Sequence, residues 1–261
     1  MKCYSVDLNY KGATLNCYVP DTIPYVRKAI LVMPGGGYSI VCSEREGEPI
    51  AHSFIPHGFA AFVLNYSVNR TASYPTQLIQ ASLAMKYIRD NAKELNINPE
   101  EVYTVGFSAG GHLAGCLATM WHKKEIYNAV NMPYGYNKPT GAMLIYPVIN
   151  DHFGSFANLY CRDNITKEEI EALSIDKNVD EKTCPIFLAH TATDNCVPIA
   201  NTIDMAYALS KNNIFFETHI FPYGSHGLAT GDPVTIWYKE IKYGNDFSSW
   251  VDLAVKWVDK F

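Results

Sequence analysis

The run Gly106-Phe107-Ser108-Ala109-Gly110-Gly111 sets a serine between glycines two residues away on either side. Before it, Val102 to Val105 is β-branched and aromatic like a buried strand. Behind it, His112 to Met120 is small and apolar like a helix. A serine on a tight strand-to-helix turn projects its hydroxyl, and the glycines remove Cβ atoms that would clash there. Ser108 is therefore a candidate nucleophile, facing the free N–H groups that open the helix. A serine hydroxyl is too weak an acid to attack a carbonyl unaided, so a base and a group to orient that base are required. Asp194, in TATDNCVPI, and His226, in YGSHGLA, each lie just beyond an apolar run, among turn-forming residues. In this reading His226 takes the Ser108 proton and returns it to the leaving group, while Asp194 fixes the imidazole tautomer and stabilises the imidazolium.

A second glycine run, Pro34-Gly35-Gly36-Gly37-Tyr38, follows another apolar stretch and lets backbone N–H groups approach a substrate oxygen. The N–H groups of Gly36, Gly37 and Ala109 are the expected donors to a developing oxyanion, where one donor is worth about 3 to 4 kcal/mol. A phosphate-binding loop is the rival reading, but no Gly-Lys-Ser/Thr follows and no G-x-G-x-x-G is present. Asp151 and Asp204 compete for the acid, one after the sixth predicted strand and the other inside a helix. Among the remaining histidines, His190 and His219 fall inside predicted strands, where structural roles are commoner. His52, His57, His112, His122 and His152 fall on or beside helices or in a loop without flanking glycines.

These residues need a scaffold that brings strand ends together. Cys3 to Tyr10 and Thr14 to Pro20 read as an antiparallel hairpin. Lys28 to Pro34, Phe59 to Val68, Val102 to Phe107, Gly141 to Val148, Cys184 to Ala192 and Phe215 to Tyr223 read as six further strands. Helices are expected at Glu48 to His57, Pro75 to Leu95, after Ser108, from Pro198 to Leu209 and from Phe247 to Lys260. The pattern predicts an α/β fold: a mostly parallel eight-stranded sheet with an N-terminal antiparallel hairpin and helices on both faces, in one domain over residues 1–261. Ligands of such sheets bind beyond the carboxyl ends of the strands, which is where Ser108, Asp194, His226 and the glycine run fall.

With 48% hydrophobic and 18% charged residues and no apolar stretch near membrane-spanning length, the composition is that of a globular protein outside the membrane. The first residues lack the apolar core and cleavage site of a signal peptide, so the expected location is cytoplasmic. Seven scattered cysteines without a C-x-x-C pair favour free thiols over a disulfide framework or a metal site. A net charge of −5 with dispersed Lys and Arg argues against a nucleic-acid partner. No cofactor or metal is expected, and the oligomeric state is left open.

With those motifs in view, the chain resembles the α/β-hydrolase serine esterases of the hormone-sensitive-lipase-like kind, above all the bacterial carbohydrate acetyl esterases, some of them labelled xylanases. The likeness runs nearly end to end, through PGGGYS (34–39), EREGEP (44–49), FVLNYSV (62–68), GFSAGGHLA (106–114), YPVI (146–149), HFGSFANL (152–159), TDNCVP (193–198) and FPYGSHGL (221–228). Pro34 departs from the broader lipase pattern, which opens its glycine motif with His. The resemblance implies hydrolysis of short-chain carboxylic esters, with acetyl groups on xylo-oligosaccharides or related sugars as the substrate class. Alternatives are an amidase or peptidase of the same fold, arylformamidase-like or prolyl-peptidase-like, and a noncatalytic binding protein. Residues 121–140 and 150–183 are longer than ordinary connections and are expected to overhang the pocket as a lid. Tyr38, Trp121, Tyr127, Tyr134 and Tyr136 are candidate substrate contacts, the last four either facing a sugar ring or packing the insertion on the body. Glu44 and Arg45, soon after the glycine run, either pair near the pocket mouth or, the favoured reading, decorate a loop.

Overall fold

Continuous apolar runs form the interior of the sheet, because a strand covered on both faces has no solvent side to reserve for polar residues. A computed structural model describes residues 1–21, 25–151, 154–236 and 246–261. Its strands are β1 (Lys2–Asp7), β2 (Thr14–Val19), β3 (Arg27–Met33), β4 (Phe59–Asn65), β5 (Ile97–Phe107), β6 (Ala142–Ile145), β7 (Ile186–Thr191) and β8 (Phe216–Phe221). They form one sheet in the order β1-β2-β4-β3-β5-β6-β7-β8. β2 pairs antiparallel with β1 and with β4, and every other pairing is parallel. The predicted eight strands and N-terminal hairpin are all present.

Alternate residues of each strand serve opposite cores, as the two-residue period of a strand requires. Ala29, Leu31 and Met33 pack with Leu113 and Leu117 on one face. Ile30 and Val32 pack with Phe54, Trp250 and Trp257 on the other. The first face is covered by α3 (Thr76–Asp90), α5 (Ala109–Met120) and α9 (Ala200–Lys211), the second by α2 (Glu48–Phe54) and α10 (Trp250–Val258). Shorter helices are α1 (Ser43–Glu46), α4 (Ala92–Leu95), α6 (Lys124–Ala129), α7 (Ser155–Tyr160) and α8 (Lys167–Leu173).

Two expectations need adjustment. The single helix expected from Pro75 to Leu95 is broken at Asn91, whose φ of −100° and ψ of 7° leave the helical region and separate α3 from α4. The elbow strand starts at Ile97 rather than Val102, because Asn96 turns the chain through a left-handed φ of 55° and its carbonyl accepts from the Arg27 N–H. His152 and Phe153, the start of the HFGSFANL motif, lie outside the described residues. Among the described residues no helix is long and apolar enough to cross a membrane.

Candidate active site

Ser108 sits where β5 ends and α5 begins, with φ 53° and ψ −119°. A non-glycine residue in that region costs about 1 to 3 kcal/mol and persists only where its surroundings impose it. Here the imposition is close packing. A Cβ on Gly106 would lie 2.1 Å from the Gly110 carbonyl oxygen, and one on Gly110 would lie 2.1 Å from that of Met33. The glycines therefore let β5, α5 and the end of β3 meet around the serine. Its own N–H donates to the Ile145 carbonyl (3.1 Å) and its carbonyl accepts from His112 and Val148, so the turn is held from three sides.

The loops after β7 and β8 bring the other two residues to this hydroxyl. His226 Nε2 stands 2.9 Å from Ser108 Oγ, and its Nδ1 stands 2.7 Å from Asp194 Oδ2. Asp194 has no exposed side-chain surface, whereas the His226 side chain is 18% exposed. Burial alone would raise the Asp194 pKa. Hydrogen bonds from His190 and His226, the His226 charge and the Cys196 N–H outweigh it and hold the carboxyl well below the usual carboxylate range. The N–H groups of Cys196 and Val197 both donate to its Oδ1 at 2.8 Å. The residues predicted as nucleophile, base and acid are thus brought together in one hydrogen-bonded line. Asp151 and Asp204 have no part in it.

The glycine run after β3 lies across from this line. Its first N–H, on Gly35, is taken by Glu46 Oε2 at 2.7 Å. The Gly36 carbonyl closes a turn by accepting from the Ser39 and Ile40 N–H groups (3.0 and 3.1 Å). Among the described residues the N–H groups of Gly36 and Gly37 donate to no protein acceptor. Gly36 adopts φ +128°, and a Cβ there would lie 2.3 Å from the Ile40 carbonyl oxygen, so glycine is required by both conformation and space. Ala109 is the first residue of α5, a position whose N–H has no carbonyl of its own helix to reach. Ser108 and Gly35 are excluded as free donors by the bonds they already make.

Two residues that support this site, Glu46 and Tyr146, escaped the sequence reading, and a third, Arg45, is placed more firmly than that reading allowed. Glu46 on α1 is only 4% exposed, accepting from the Gly35 N–H and from the Tyr146 hydroxyl (2.8 Å). That hydroxyl accepts in turn from the Ala229 N–H (2.9 Å), and the Tyr146 ring meets the His226 imidazole edge-on at 4.9 Å. One buried carboxyl therefore ties the glycine loop to the floor beneath the histidine. Its pKa is raised, because burial outweighs those hydrogen bonds and the charges of His226 and Arg45. Arg45 does not merely decorate a loop. It donates to the Gly227 carbonyl, next to His226, and through Nε to the Thr235 carbonyl at 3.1 Å. Glu44 is exposed. Only the motif EREGEP hinted at these roles; the partners lie up to 190 residues away along the chain.

The aromatic candidates are placed elsewhere. Tyr38 is 1% exposed, and its hydroxyl lies 2.8 Å from His112 Nδ1. Burial pushes the His112 pKa down to about 4, so the ring is neutral at pH 7: Nε2–H donates to the Leu173 carbonyl and Nδ1 accepts from Tyr38. Tyr38 is thus internal support rather than a substrate contact. Trp121 follows the twelve residues of α5, which at 1.5 Å per residue carry the chain about 18 Å back from Ser108. Its Nε1 donates to the Lys182 carbonyl ahead of β7, and the Thr140 N–H donates to the Val102 carbonyl. The Tyr134 ring packs at a tilt against those of Trp121 and Tyr127, and Tyr136 donates to Asp90 at the end of α3. Residues 121–140 therefore pack at the amino ends of the strands and do not overhang the site. Residues 154–183 do approach it, through Asn158 Nδ2 donating to the Gly37 carbonyl at 3.0 Å.

Residues 15–209 match the family model described as BD-FAE. The chain belongs to the BD-FAE family. It is 36% identical over 228 residues to "Endo-1,4-beta-xylanase B" of Butyrivibrio fibrisolvens, covering 82% of this chain and 35% of that one. It is 29% identical over 248 residues to "Acetylxylan esterase" of Xylanibacter ruminicola, covering 91% and 48%. The chain thus spans half or less of the length of these two relatives. The solved acetyl ester-xyloside bifunctional hydrolase of Caldicellulosiruptor lactoaceticus superposes with a TM-score of 0.81 at 34% identity, covering 95% of this chain and 88% of that one. Family and fold together make this BD-FAE member an α/β-hydrolase, similar over most of its length to an acetylxylan esterase and to an acetyl ester-xyloside hydrolase.

Proposed function

We propose that this carboxylic ester hydrolase is a serine esterase that removes short acyl groups, above all acetyl groups from xylo-oligosaccharides or related sugars. The observation that carries the reading is the line Ser108 Oγ, His226 Nε2, His226 Nδ1, Asp194 Oδ2, with contacts of 2.9 and 2.7 Å. As the Ser108 oxygen adds to the ester carbonyl, its proton passes to His226, and the imidazolium is stabilised by the ionised Asp194. The carbonyl oxygen becomes an alkoxide that accepts from the N–H groups of Gly36, Gly37 and Ala109. Collapse breaks the bond to the sugar oxygen, which leaves as an alcohol with the proton from His226. Water, deprotonated by the same ring, then attacks the acyl-enzyme and releases acetate and free Ser108.

The acetyl and sugar preferences are supported by the names of the Xylanibacter and Caldicellulosiruptor proteins. The test is release of acid from a panel of acetylated xylo-oligosaccharides, simple sugar acetates, p-nitrophenyl esters, formyl anilides and dipeptide amides. The reading expects the highest kcat/KM on sugar acetates. Preference for an amide would replace the esterase assignment, and activity confined to long-chain or aryl esters would remove the carbohydrate one.

A further inference from the structure

His190 is the next-to-last residue of β7, has no exposed surface, and makes more polar contacts than a buried strand residue needs. Its Nε2 faces two acceptors, Asp194 Oδ2 at 3.2 Å and the Val197 carbonyl at 3.1 Å. With acceptors on both sides, that nitrogen must carry a hydrogen. Its Nδ1 lies 2.7 Å from the Thr202 hydroxyl, in the first turn of α9. In the neutral ring this nitrogen is bare and accepts the Thr202 proton, which fixes the tautomer. Asp194 Oδ2 then receives two N–H groups, from His226 and His190, while Oδ1 receives those of Cys196 and Val197. Four donors fix both the plane and the twist of the carboxylate.

We propose that His190 is a positioning residue for the Ser108, His226 and Asp194 machinery, holding the Asp194 carboxylate in the plane that the His226 N–H requires. The inference rests on the functional reading above. The chain of contacts runs from α9 through Thr202 and His190 to Asp194, so the helix after β7 and the loop that carries the acid are locked as one piece. Without the His190 N–H, Oδ2 keeps His226 as its sole side-chain donor, and the plane of the carboxylate is held less tightly by that bond and the two backbone N–H groups on Oδ1. The loss falls on the steps in which the imidazolium forms, and substrate binding is untouched.

The test is steady-state turnover of an acetyl ester, per mole of folded protein, for His190→Leu, His190→Gln, Thr202→Val and Ser108→Ala. His190→Leu is expected to lower kcat about tenfold with KM within about twofold, as for an interaction made only in the transition state. His190→Gln, which keeps an N–H donor where Nε2 stood, should recover most of that loss. Thr202→Val, which keeps the shape of the site should His190→Leu fail to fold, should cost about threefold in kcat by freeing the ring. Wild-type kcat in both His190→Leu and Thr202→Val, or a His190→Gln variant as impaired as the leucine one, overturns the proposal. If those variants are unimpaired while Ser108→Ala is inactive, only the role of His190 falls. If Ser108→Ala keeps its turnover, the nucleophile assignment and this inference fall together.

Discussion

Two buried carboxyls flank Ser108, and the protein treats them oppositely. Asp194 lies under His226 with two backbone N–H groups and two imidazoles around it, and its pKa is lowered despite burial. Glu46 lies under the glycine loop with one backbone N–H and one phenol, and its pKa is raised. Burial pushes both upward, so the number and strength of donors decide the outcome. Asp194 is kept as a charge that a neighbouring imidazolium can use. Glu46 is a connector, useful for what it accepts rather than for the charge it carries.

Asp194→Asn should break this contrast most severely. The amide favours the wrong tautomer of His226, and kcat should fall about 1,000-fold or more with the fold intact; steady-state kinetics with circular dichroism checks both. Next, Gly36→Ala should cost about 100-fold in kcat/KM, because the loop must move for a Cβ 2.3 Å from the Ile40 carbonyl and its N–H leaves the position a developing oxyanion needs. Glu46→Ala strands the Gly35 N–H and the Tyr146 hydroxyl and should cost about 1 to 3 kcal/mol in a denaturant titration. Glu46→Gln can accept from Gly35 and donate to Tyr146, so its kcat should stay within about threefold of wild type. A kcat loss in Glu46→Gln as large as in Asp194→Asn would show that Glu46 acts through its charge and would end the comparison.

The pH dependence of stability gives the contrast a sign. A lowered pKa means that the folded state releases its proton more readily than the unfolded chain. Asp194 therefore contributes stability that is present above the ordinary Asp value of 3.8 and is lost as pH falls below it. A raised pKa does the reverse: the Glu46 contribution is full below its ordinary value of 4.5 and is lost as pH rises through the raised value. In thermal melts, Glu46→Gln should gain on wild type as pH rises from 4.5 toward neutrality. Asp194→Asn should lose most at neutral pH and close the gap in acid. The smallest effect belongs to the far end of the sheet, where Trp121→Phe should leave kcat/KM for acetyl esters within about twofold while weakening the packing there.

Ser108, Asp194, His226 and the glycine run were legible because each follows its own apolar strand, so local pattern alone carries it to the carboxyl edge of the sheet. The supports were not. Tyr146 and Glu46 are 100 residues apart, and Arg45 and Thr235 are 190 apart, contacts that only the completed sheet creates. His190 reads as a structural strand residue because its partners belong to the next loop and helix. The aromatics between Trp121 and Tyr136 depart from expectation for a simpler reason. Insertion length is visible in a sequence, but α5 reverses the chain direction and delivers Trp121 to the end of the sheet opposite Ser108.

In the proposed mechanism Ser108 is the group that attacks the ester. A fluorophosphonate, which phosphonylates an activated serine, should react once per chain, abolish acetyl ester turnover in step with labelling, and appear by peptide mass spectrometry on Ser108. Full turnover with Ser108 unmodified, or loss of activity tracking an adduct on another residue, would contradict the account.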